Sequence, residues 1–211
     1  MVRFTHILWL IVPLLIAACT TNESTLRSRA DAGEAEAQYQ LASMYWEGKE
    51  VDQDRNEALK WYQRAAQHGH RGAQLKVAEF YEAGQGVSQD YLRASQWYAK
   101  AAEQGDVNAQ VHLARLYLKG SGVPQNDAEA VKLLERAAIQ KNAEAQYLLG
   151  RIYWEGRGVQ RDRVQAHMWF NLAAAQGHER AGSMRQVAAT EMDQNQLVEA
   201  QRLAVEQVKS K

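Results

Sequence analysis

Residues 35–70 read AEAQYQLASMYWEGKEVDQDRNEALKWYQRAAQHGH, and residues 143–178 read AEAQYLLGRIYWEGRGVQRDRVQAHMWFNLAAAQGH. The two stretches align without a gap, and residues 71–106 and 107–142 continue the same 36-residue period between them. Several columns of this alignment do not vary, among them Ala37, Ala73, Ala109 and Ala145; Gln38, Gln74, Gln110 and Gln146; Tyr45, Tyr81, Tyr117 and Tyr153; and Gly48, Gly84, Gly120 and Gly156. A fixed period in this range predicts a solenoid, in which equivalent units stack on one another.

Each repeat has the residue pattern of two helices joined by a loop. In the first repeat, Ala37, Leu41 and Met44 fall on one face of a helix. Gly48 then supplies a left-handed C-cap, and Asp54 an N-cap for the second helix. The equivalent N-cap residues are Asp90, Asn126 and Asp162. The second helix is predicted to bury Ala58, Trp61, Tyr62, Ala65 and Ala66, with Trp97, Leu133 and Trp169 in the column of Trp61.

The pattern Ala-x-Gln-x-x-Leu-Ala-x-x-Tyr-x-x-Gly, then Gly-Val, then Ala-x-x-Trp-Tyr-x-x-Ala-Ala-x-x-Gly resembles the Sel1-like repeat, a relative of the tetratricopeptide repeat. The resemblance implies an all-α fold: an α-solenoid of antiparallel helix pairs in a right-handed superhelix. Its four full repeats would be residues 35–70, 71–106, 107–142 and 143–178.

The segments that flank the repeats have the features of solenoid caps. Residues 25–34 align with the end of a second helix and are predicted to form an N-terminal half-repeat cap. Residues 179–211 are predicted to form C-terminal capping helices. Two departures put loop geometry in question: Glu50 replaces the second loop glycine of the other repeats, and Lys141 replaces the glycine that ends the second helix. At the end of the second helix of repeat three, Asn142 is expected to take the left-handed conformation in place of Lys141.

The N-terminus is predicted to be an export signal. Residues 1–18 combine the positive Arg3 with a short apolar run that is too short to span a bilayer comfortably. Ile16-Ala17-Ala18-Cys19 resembles the bacterial lipoprotein box, which implies cleavage before Cys19 and attachment of lipid, including palmitate, to its sulfur. Thr20 rather than Asp follows, which by the same resemblance favours the outer membrane, facing the periplasm. Residues 19–24 would then be a short linker, and the alternative is an ordinary secretory signal with a chance cysteine.

Composition excludes several classes of protein. Lys and Arg number 25 and Asp and Glu also 25, so the chain lacks the positive charge that a nucleic-acid binder uses on phosphates. A single cysteine excludes an intramolecular disulfide framework and a multi-cysteine zinc site. We expect no metal or other cofactor.

No catalytic residue is predicted, because no nucleophile and base occur in a recognisable arrangement. The pair His68 and His70 is interpreted as two solvated turn residues, and His167 and His178 have no carboxylate partner visible in the sequence. A cysteine-rich branch of the Sel1-like family is linked to penicillin binding and weak β-lactamase activity, but no repeat of this chain contains a cysteine.

Variable positions on the first helix of each repeat form a candidate partner-binding strip, because related solenoids line their concave face with these helices. The strip becomes more basic toward repeats three and four, which suits an acidic peptide or a polymer; the alternative is a solvated face without a role. Trp46 and Trp154 share a column with Glu82 and Leu118, so they are predicted to be exposed aromatic anchors. The full candidate set is Gln40, Ser43, Trp46, Lys76, Glu79, His112, Arg115, Lys119, Leu148, Arg151 and Trp154.

Together these features predict a lipid-anchored protein–protein interaction scaffold of the cell envelope that assembles or regulates an envelope complex. A binder of peptidoglycan or exopolysaccharide is the alternative. A penicillin-binding or β-lactamase-like enzyme is the third and less favoured hypothesis.

Overall fold

The computed structural model describes residues 23–209, and within that range the chain is helical with no strand. The predicted fold class, an all-α solenoid repeat, is confirmed. The helices are α1 (residues 23–31), α2 (Ala35–Glu47), α3 (Arg55–Gln67), α4 (Arg71–Ala83), α5 (Tyr91–Glu103), α6 (Val107–Lys119), α7 (Asp127–Ile139), α8 (Ala143–Glu155), α9 (Arg163–Ala175), α10 (Glu179–Thr190) and α11 (Gln194–Lys209).

The helices form two compact units that divide between Gln89 and Asp90. In the first unit, α2 packs on α3 and α3 on α4. In the second unit, each helix from α5 to α9 packs on the next one, and α9 also contacts α10 and α11. Residues 23 and 24, predicted as part of the linker, are helical, and the rest of that linker lies outside the described residues.

The loop inside each repeat is closed by the residue that caps the second helix. The Asp54 carboxylate accepts hydrogen bonds from the backbone N–H groups of Asn56 and Glu57, while its own backbone N–H donates to the carbonyl of Tyr45 at 3.0 Å. The other predicted N-caps, Asp90, Asn126 and Asp162, also accept from the backbone of their helices. Satisfying these otherwise unpaired groups defines where each second helix begins.

The glycine that ends each first helix is left-handed, as predicted, with φ between 67° and 73° at Gly48, Gly84, Gly120 and Gly156. The prediction for Asn142 is wrong. Lys141 itself adopts φ 62°, and Asn142 has φ −74° and caps α8 by accepting from the N–H of Ala145. Lys141 therefore bears the strain that glycine avoids at the equivalent position of other repeats.

Two of the second loop glycines, Gly122 and Gly158, make close contacts between repeats, which the sequence did not indicate. A Cβ on Gly122 would lie 2.2 Å from the carbonyl carbon of Tyr91, and one on Gly158 would lie 2.8 Å from that of Asp127. Each loop therefore rests on the backbone at the start of the preceding repeat's second helix, and a side chain does not fit there.

The invariant glutamines connect consecutive repeats. Gln38, Gln74, Gln110 and Gln146 are buried. Their side-chain amides donate to the carbonyls of Ala30, Ala66, Ala102 and Ala138, each eight residues earlier. This bond explains why the column does not vary, since a buried carbonyl needs a donor.

The core consists of alanine columns and large side chains between them. Tyr98 and Phe170 are fully buried. Trp61 and Trp169 are also buried, as predicted, whereas Trp97 is half-buried, with the Lys100 ammonium 4.1 Å from its ring centroid. From residue 23 to residue 209, no helix combines the length and the apolar character needed to cross a bilayer.

Candidate functional site

The first unit brings five of the predicted strip residues to the surface of α2 and α4. Gln40 is exposed and its amide donates to Glu36 at 2.8 Å. Ser43 is half-buried, and its hydroxyl lies 3.0 Å from that of Tyr62. Lys76 forms an ion pair with Glu79 at 2.8 Å, and Trp46 lies near the end of α2. Gln40, Ser43 and Lys76 thus each have a polar partner within the first unit.

Behind these polar groups runs a continuous series of ring contacts, here called the aromatic row. It consists of His70, Tyr39, Tyr62, Phe80 and Trp46. Tyr39 stacks on His70 with centroids 4.3 Å apart and meets the edge of Tyr62 at 5.5 Å. Phe80 links Tyr62 at 5.7 Å to Trp46 at 4.8 Å. Tyr62 and Phe80 are buried, while Tyr39, His70 and Trp46 remain half-buried.

Trp46 is less open than predicted, because the Arg55 guanidinium lies 5.2 Å from its ring centroid. Beside the two side chains is a cavity of about 230 Å³ lined by Trp46, Arg55, Gln85 and Gly86. Trp154 in the second unit is likewise half-buried, with the Arg161 guanidinium 5.4 Å from its ring. Both tryptophans are thus partly covered rather than fully exposed anchors.

The environment shifts the pKa values of Tyr62 and Lys76 in the first unit. Burial raises the pKa of the Tyr62 hydroxyl above its ordinary value. The hydrogen bond to Glu79 raises the pKa of Lys76. At neutral pH, Tyr62 is therefore a neutral hydrogen-bonding group and Lys76 a full positive charge.

The prediction of a basic surface on repeats three and four is wrong at Arg115 and Arg151, because each arginine pairs with a carboxylate. Arg115 donates a short hydrogen bond to Glu144, and Arg151 pairs with Glu155 at 2.7 Å. Lys119 is exposed and has no ion pair within the described chain. The surface therefore offers little net positive charge to an acidic ligand.

The remaining two candidates in the second unit are partly or wholly covered. His112 is half-buried and stacks on Tyr98, with centroids 4.9 Å apart. Leu148, predicted to be open to a partner, is buried. An apolar side chain gains about 1.5–3 kcal/mol from leaving water, so at this position it turns inward where its polar counterparts do not.

Histidines in two repeats have carboxylate partners that the sequence alone did not reveal. His70 Nε2 lies 2.9 Å from Glu36 Oε2, and His178 Nε2 lies 2.9 Å from Glu144 Oε2. His178 also stacks on Tyr147 at 4.3 Å, as His70 does on Tyr39. The interpretations of His70 as a solvated residue and of His178 as unpartnered are therefore wrong. The recurrence of Glu, Tyr and His at the same offsets in repeats one and four was the signal that could have revealed both clusters.

The Glu144 carboxylate shows two opposing effects on its acidity. Burial acts to raise its pKa, but hydrogen bonds from His178 and Arg115 outweigh it, and the pKa lies below the ordinary value. The carboxylate is charged at neutral pH and joins three helical elements, since Arg115 lies on α6, Glu144 on α8 and His178 at the start of α10. This cluster is therefore structural.

No group of three or more His, Cys, Asp or Glu side chains between residues 23 and 209 is placed to hold a metal ion. Cys19, the predicted lipid attachment point, lies outside the described residues. The strip surface of α2 and α4 combines three half-buried rings of one continuous series, Tyr39, His70 and Trp46, with polar groups that have local partners.

Comparison with known proteins agrees with the repeat architecture. The Sel1 repeat profile matches residues 35–70, 72–106, 107–142 and 143–178. A Sel1 repeat protein from Oxalobacter formigenes has a similar solved structure, with 34% identity and a TM-score of 0.71 over 92% of this chain and 80% of that one. No functionally curated protein matches the chain.

A protective antigen present in uropathogenic Escherichia coli strains is also similar, with 41% identity and a TM-score of 0.70 over 74% of this chain. The match spans only 33% of the length of that protein. The four profile matches agree with the repeat period, and the similarity to the Oxalobacter structure agrees with the fold. The chain belongs to the Sel1 repeat family.

Proposed function

We propose that this protein is a lipid-anchored scaffold of the cell envelope that binds a protein partner on the surface of α2 and α4. The observation that carries the proposal is the aromatic row. Its half-buried members Tyr39 and Trp46 lie on α2 with Gln40 and Ser43, and its member Phe80 lies on α4 with Lys76 and Glu79. Sel1 repeats generally mediate protein–protein interactions, and Sel1 repeat solenoids are typically non-enzymatic scaffolds.

The row has the physical features of a binding hot spot. Rings that are already held by neighbouring rings lose little conformational freedom when a partner covers them. Aromatic side chains with a polar rim dominate the binding energy of most interfaces. Tyr62 adds a buried hydroxyl that is bonded to Ser43, so a partner that displaces Ser43 would have to replace that bond.

The anchor at Cys19 is the part of the proposal that rests on sequence. Three small or apolar residues precede the cysteine directly after the apolar run. Two or more acyl chains hold a protein on a membrane stably, whereas one does so only marginally.

Photo-crosslinking in cells tests the scaffold. A photoreactive residue at Lys76, beside the row, is compared with one at Gln201, which is exposed on α11. We expect one discrete protein to be captured from Lys76 and not from Gln201, and capture to fall when Trp46→Ala is added. Capture of glycan fragments without a protein, or equal capture from both positions, would contradict the proposal.

Fractionation tests the anchor. The wild-type protein should sediment with outer membranes and show the mass of a diacylglyceryl group and an acyl chain on residue 19. Cys19→Ser should appear in the soluble envelope fraction without that mass. A wild-type protein that is cleaved before residue 19 but lacks lipid would contradict the anchor and leave the interaction surface unaffected.

A further inference from the structure

The residue that begins the second helix of each repeat faces the following repeat, and its charge is matched there in two cases. Asp127, at the start of α7, pairs with Arg157 at 2.8 Å. Arg163, at the start of α9, pairs with Glu191 at 2.7 Å. In both pairs the partner comes from the end of the next first helix or the loop after it. These ion pairs therefore join repeat three to repeat four and repeat four to the C-terminal capping helices.

The equivalent residue of the first repeat is Arg55, and its expected partners are neutral. In the 36-residue alignment, Ala83 occupies the same column as Glu191, three periods earlier. Gln85 occupies the same column as Arg157, two periods earlier. Arg55 forms no ion pair within residues 23–209, and its guanidinium lies 5.2 Å from the Trp46 ring centroid. The cation is present at this junction and the carboxylate is missing.

The space that a carboxylate would occupy is open. The cavity of about 230 Å³ beside Arg55 is lined by Trp46, Gln85 and Gly86 as well. The Trp46 ring lies beside the exposed Arg55 guanidinium, and Arg55 lines the cavity, so an anion in the cavity can approach its positive charge. The Gln85 side chain is exposed and carries an amide that can donate a further hydrogen bond.

We propose that the Trp46–Arg55 cavity binds the carboxylate of an acidic side chain of the partner protein, as Arg163 binds Glu191 within this chain. The inference rests on the proposed function, because it takes the ligand to be part of a protein. Guanidinium and carboxylate form two parallel hydrogen bonds, so the site selects Asp or Glu over Asn or Gln. The Trp46 ring accommodates the apolar part of the ligand.

A peptide titration of the full-length protein tests the site directly. The probe is N-acetyl-Leu-Glu-Leu-amide, the control is the same peptide with Gln in place of Glu, and the readout is the indole N–H resonance of Trp46, assigned with Trp46→Phe. We expect a saturable shift with the Glu peptide at about 1–10 mM, the range of a single weak contact. Equal shifts with both peptides, or none with either, would overturn the proposal.

Two arginine variants separate this site from general attraction between charges. Arg55→Gln should weaken binding of the Glu peptide about tenfold, the effect of losing one charge-assisted contact. Arg64→Gln is the matched control, because Arg64 lies 4.6 Å from the ring of Trp61 in the same unit and should leave binding unchanged. An equal loss in the two variants would overturn the assignment to Arg55.

A built-in carboxylate provides a second test. Ala83→Glu places an acid at the position that Glu191 occupies in the C-terminal cap, where it should pair with Arg55 and abolish the peptide-induced shift. Ala83→Gln has nearly the same size without the charge and should bind the peptide as wild type does. Unchanged binding in Ala83→Glu would mean that the cavity is not a carboxylate site.

The two experiments distinguish an incorrect carboxylate site from an incorrect scaffold proposal. If the Glu peptide binds but the photoreactive residue at position 76 captures no protein in cells, the carboxylate site is supported and the scaffold proposal is wrong. If Lys76 captures the same protein from wild type and from Arg55→Gln, and no peptide shift occurs, the scaffold stands and the carboxylate site is wrong.

Discussion

At the scale of single residues, backbone conformation accounts for the glycine that ends most second helices. Gly105 and Gly177 have φ of 84° and 81°, and Lys141 adopts 62° in the same column. A side chain in this region costs about 1–2 kcal/mol. The repeat keeps its geometry at Lys141 at the expense of stability.

Lys141→Gly should therefore stabilise the protein by about 0.5–1 kcal/mol, since relief of strain exceeds the added entropy of the unfolded chain. The midpoint of urea unfolding measures the change. Gly105→Lys is the reciprocal control: a Cβ added at Gly105 would meet nothing within 4 Å, so this variant should lose a similar amount through backbone strain alone. A destabilised Lys141→Gly would show that the lysine side chain contributes more than its backbone costs.

Gly122 is required for a different reason, the closeness of the Tyr91 backbone. Gly122→Ala should cost about 3 kcal/mol or more, because strain at positive φ adds to overlap with main-chain atoms. Gly105→Ala, with free space and strain only, should cost about 1 kcal/mol. Equal losses of free energy of unfolding in the two variants would mean that the contact relaxes easily.

At the scale of helices, the buried glutamines determine how one repeat joins the next. Gln146 satisfies both ends of its amide, donating to Ala138 and accepting from Gln176. Gln110 donates to Ala102, but its buried Oε1 has no hydrogen-bond partner among residues 23–209. The Ala102 carbonyl also accepts from Arg136. The same residue type is thus fully bonded in one repeat and half bonded in another.

Replacement by leucine should reveal this difference. Gln146→Leu should cost about 1–2 kcal/mol, because two buried hydrogen bonds are lost. Gln110→Leu should cost less than about 1 kcal/mol, since it removes an unsatisfied oxygen and leaves the Ala102 carbonyl bonded to Arg136. Chemical denaturation of both variants measures the contrast, and a larger loss for Gln110→Leu would contradict it.

At the scale of the whole molecule, buried titratable groups make stability depend on pH. His167 is buried in a column that holds Leu59, Ser95 and Val131. Burial and the nearby Arg185 charge lower its pKa below 6.5. The folded state thus takes up a proton less readily than the unfolded state, so stability falls as the pH decreases below about 6.5.

His167→Leu, which introduces the residue of the first repeat, should reduce the loss of stability between pH 6.5 and pH 5. The thermal midpoint measured across this range tests it. A second fall below pH 4.5 should persist in the variant, because the lowered pKa of Glu144 stabilises the fold only while that carboxylate is charged. Parallel curves for wild type and His167→Leu would mean that His167 does not govern the first step.

Much of the architecture is encoded locally and was therefore predictable. The N-caps Asp54 and Asp162 bond to backbone groups two or three residues away, and Gly48 needs only its own φ. Such signals recur every 36 residues, so the period reveals them four times. The helix pairs, their caps and the family followed from the sequence because each depends on neighbours along the chain.

Contacts between repeats decided the rest. Arg115 meets Glu144, 29 residues away, and this pairing removed the predicted basic surface. His178 meets Glu144 across 34 residues. The 36-residue period indicates which positions are equivalent. The packing of one helix pair on the next determines which side chains come into contact. For this reason, the aromatic row and the cavity beside Arg55 could be identified only from the tertiary structure.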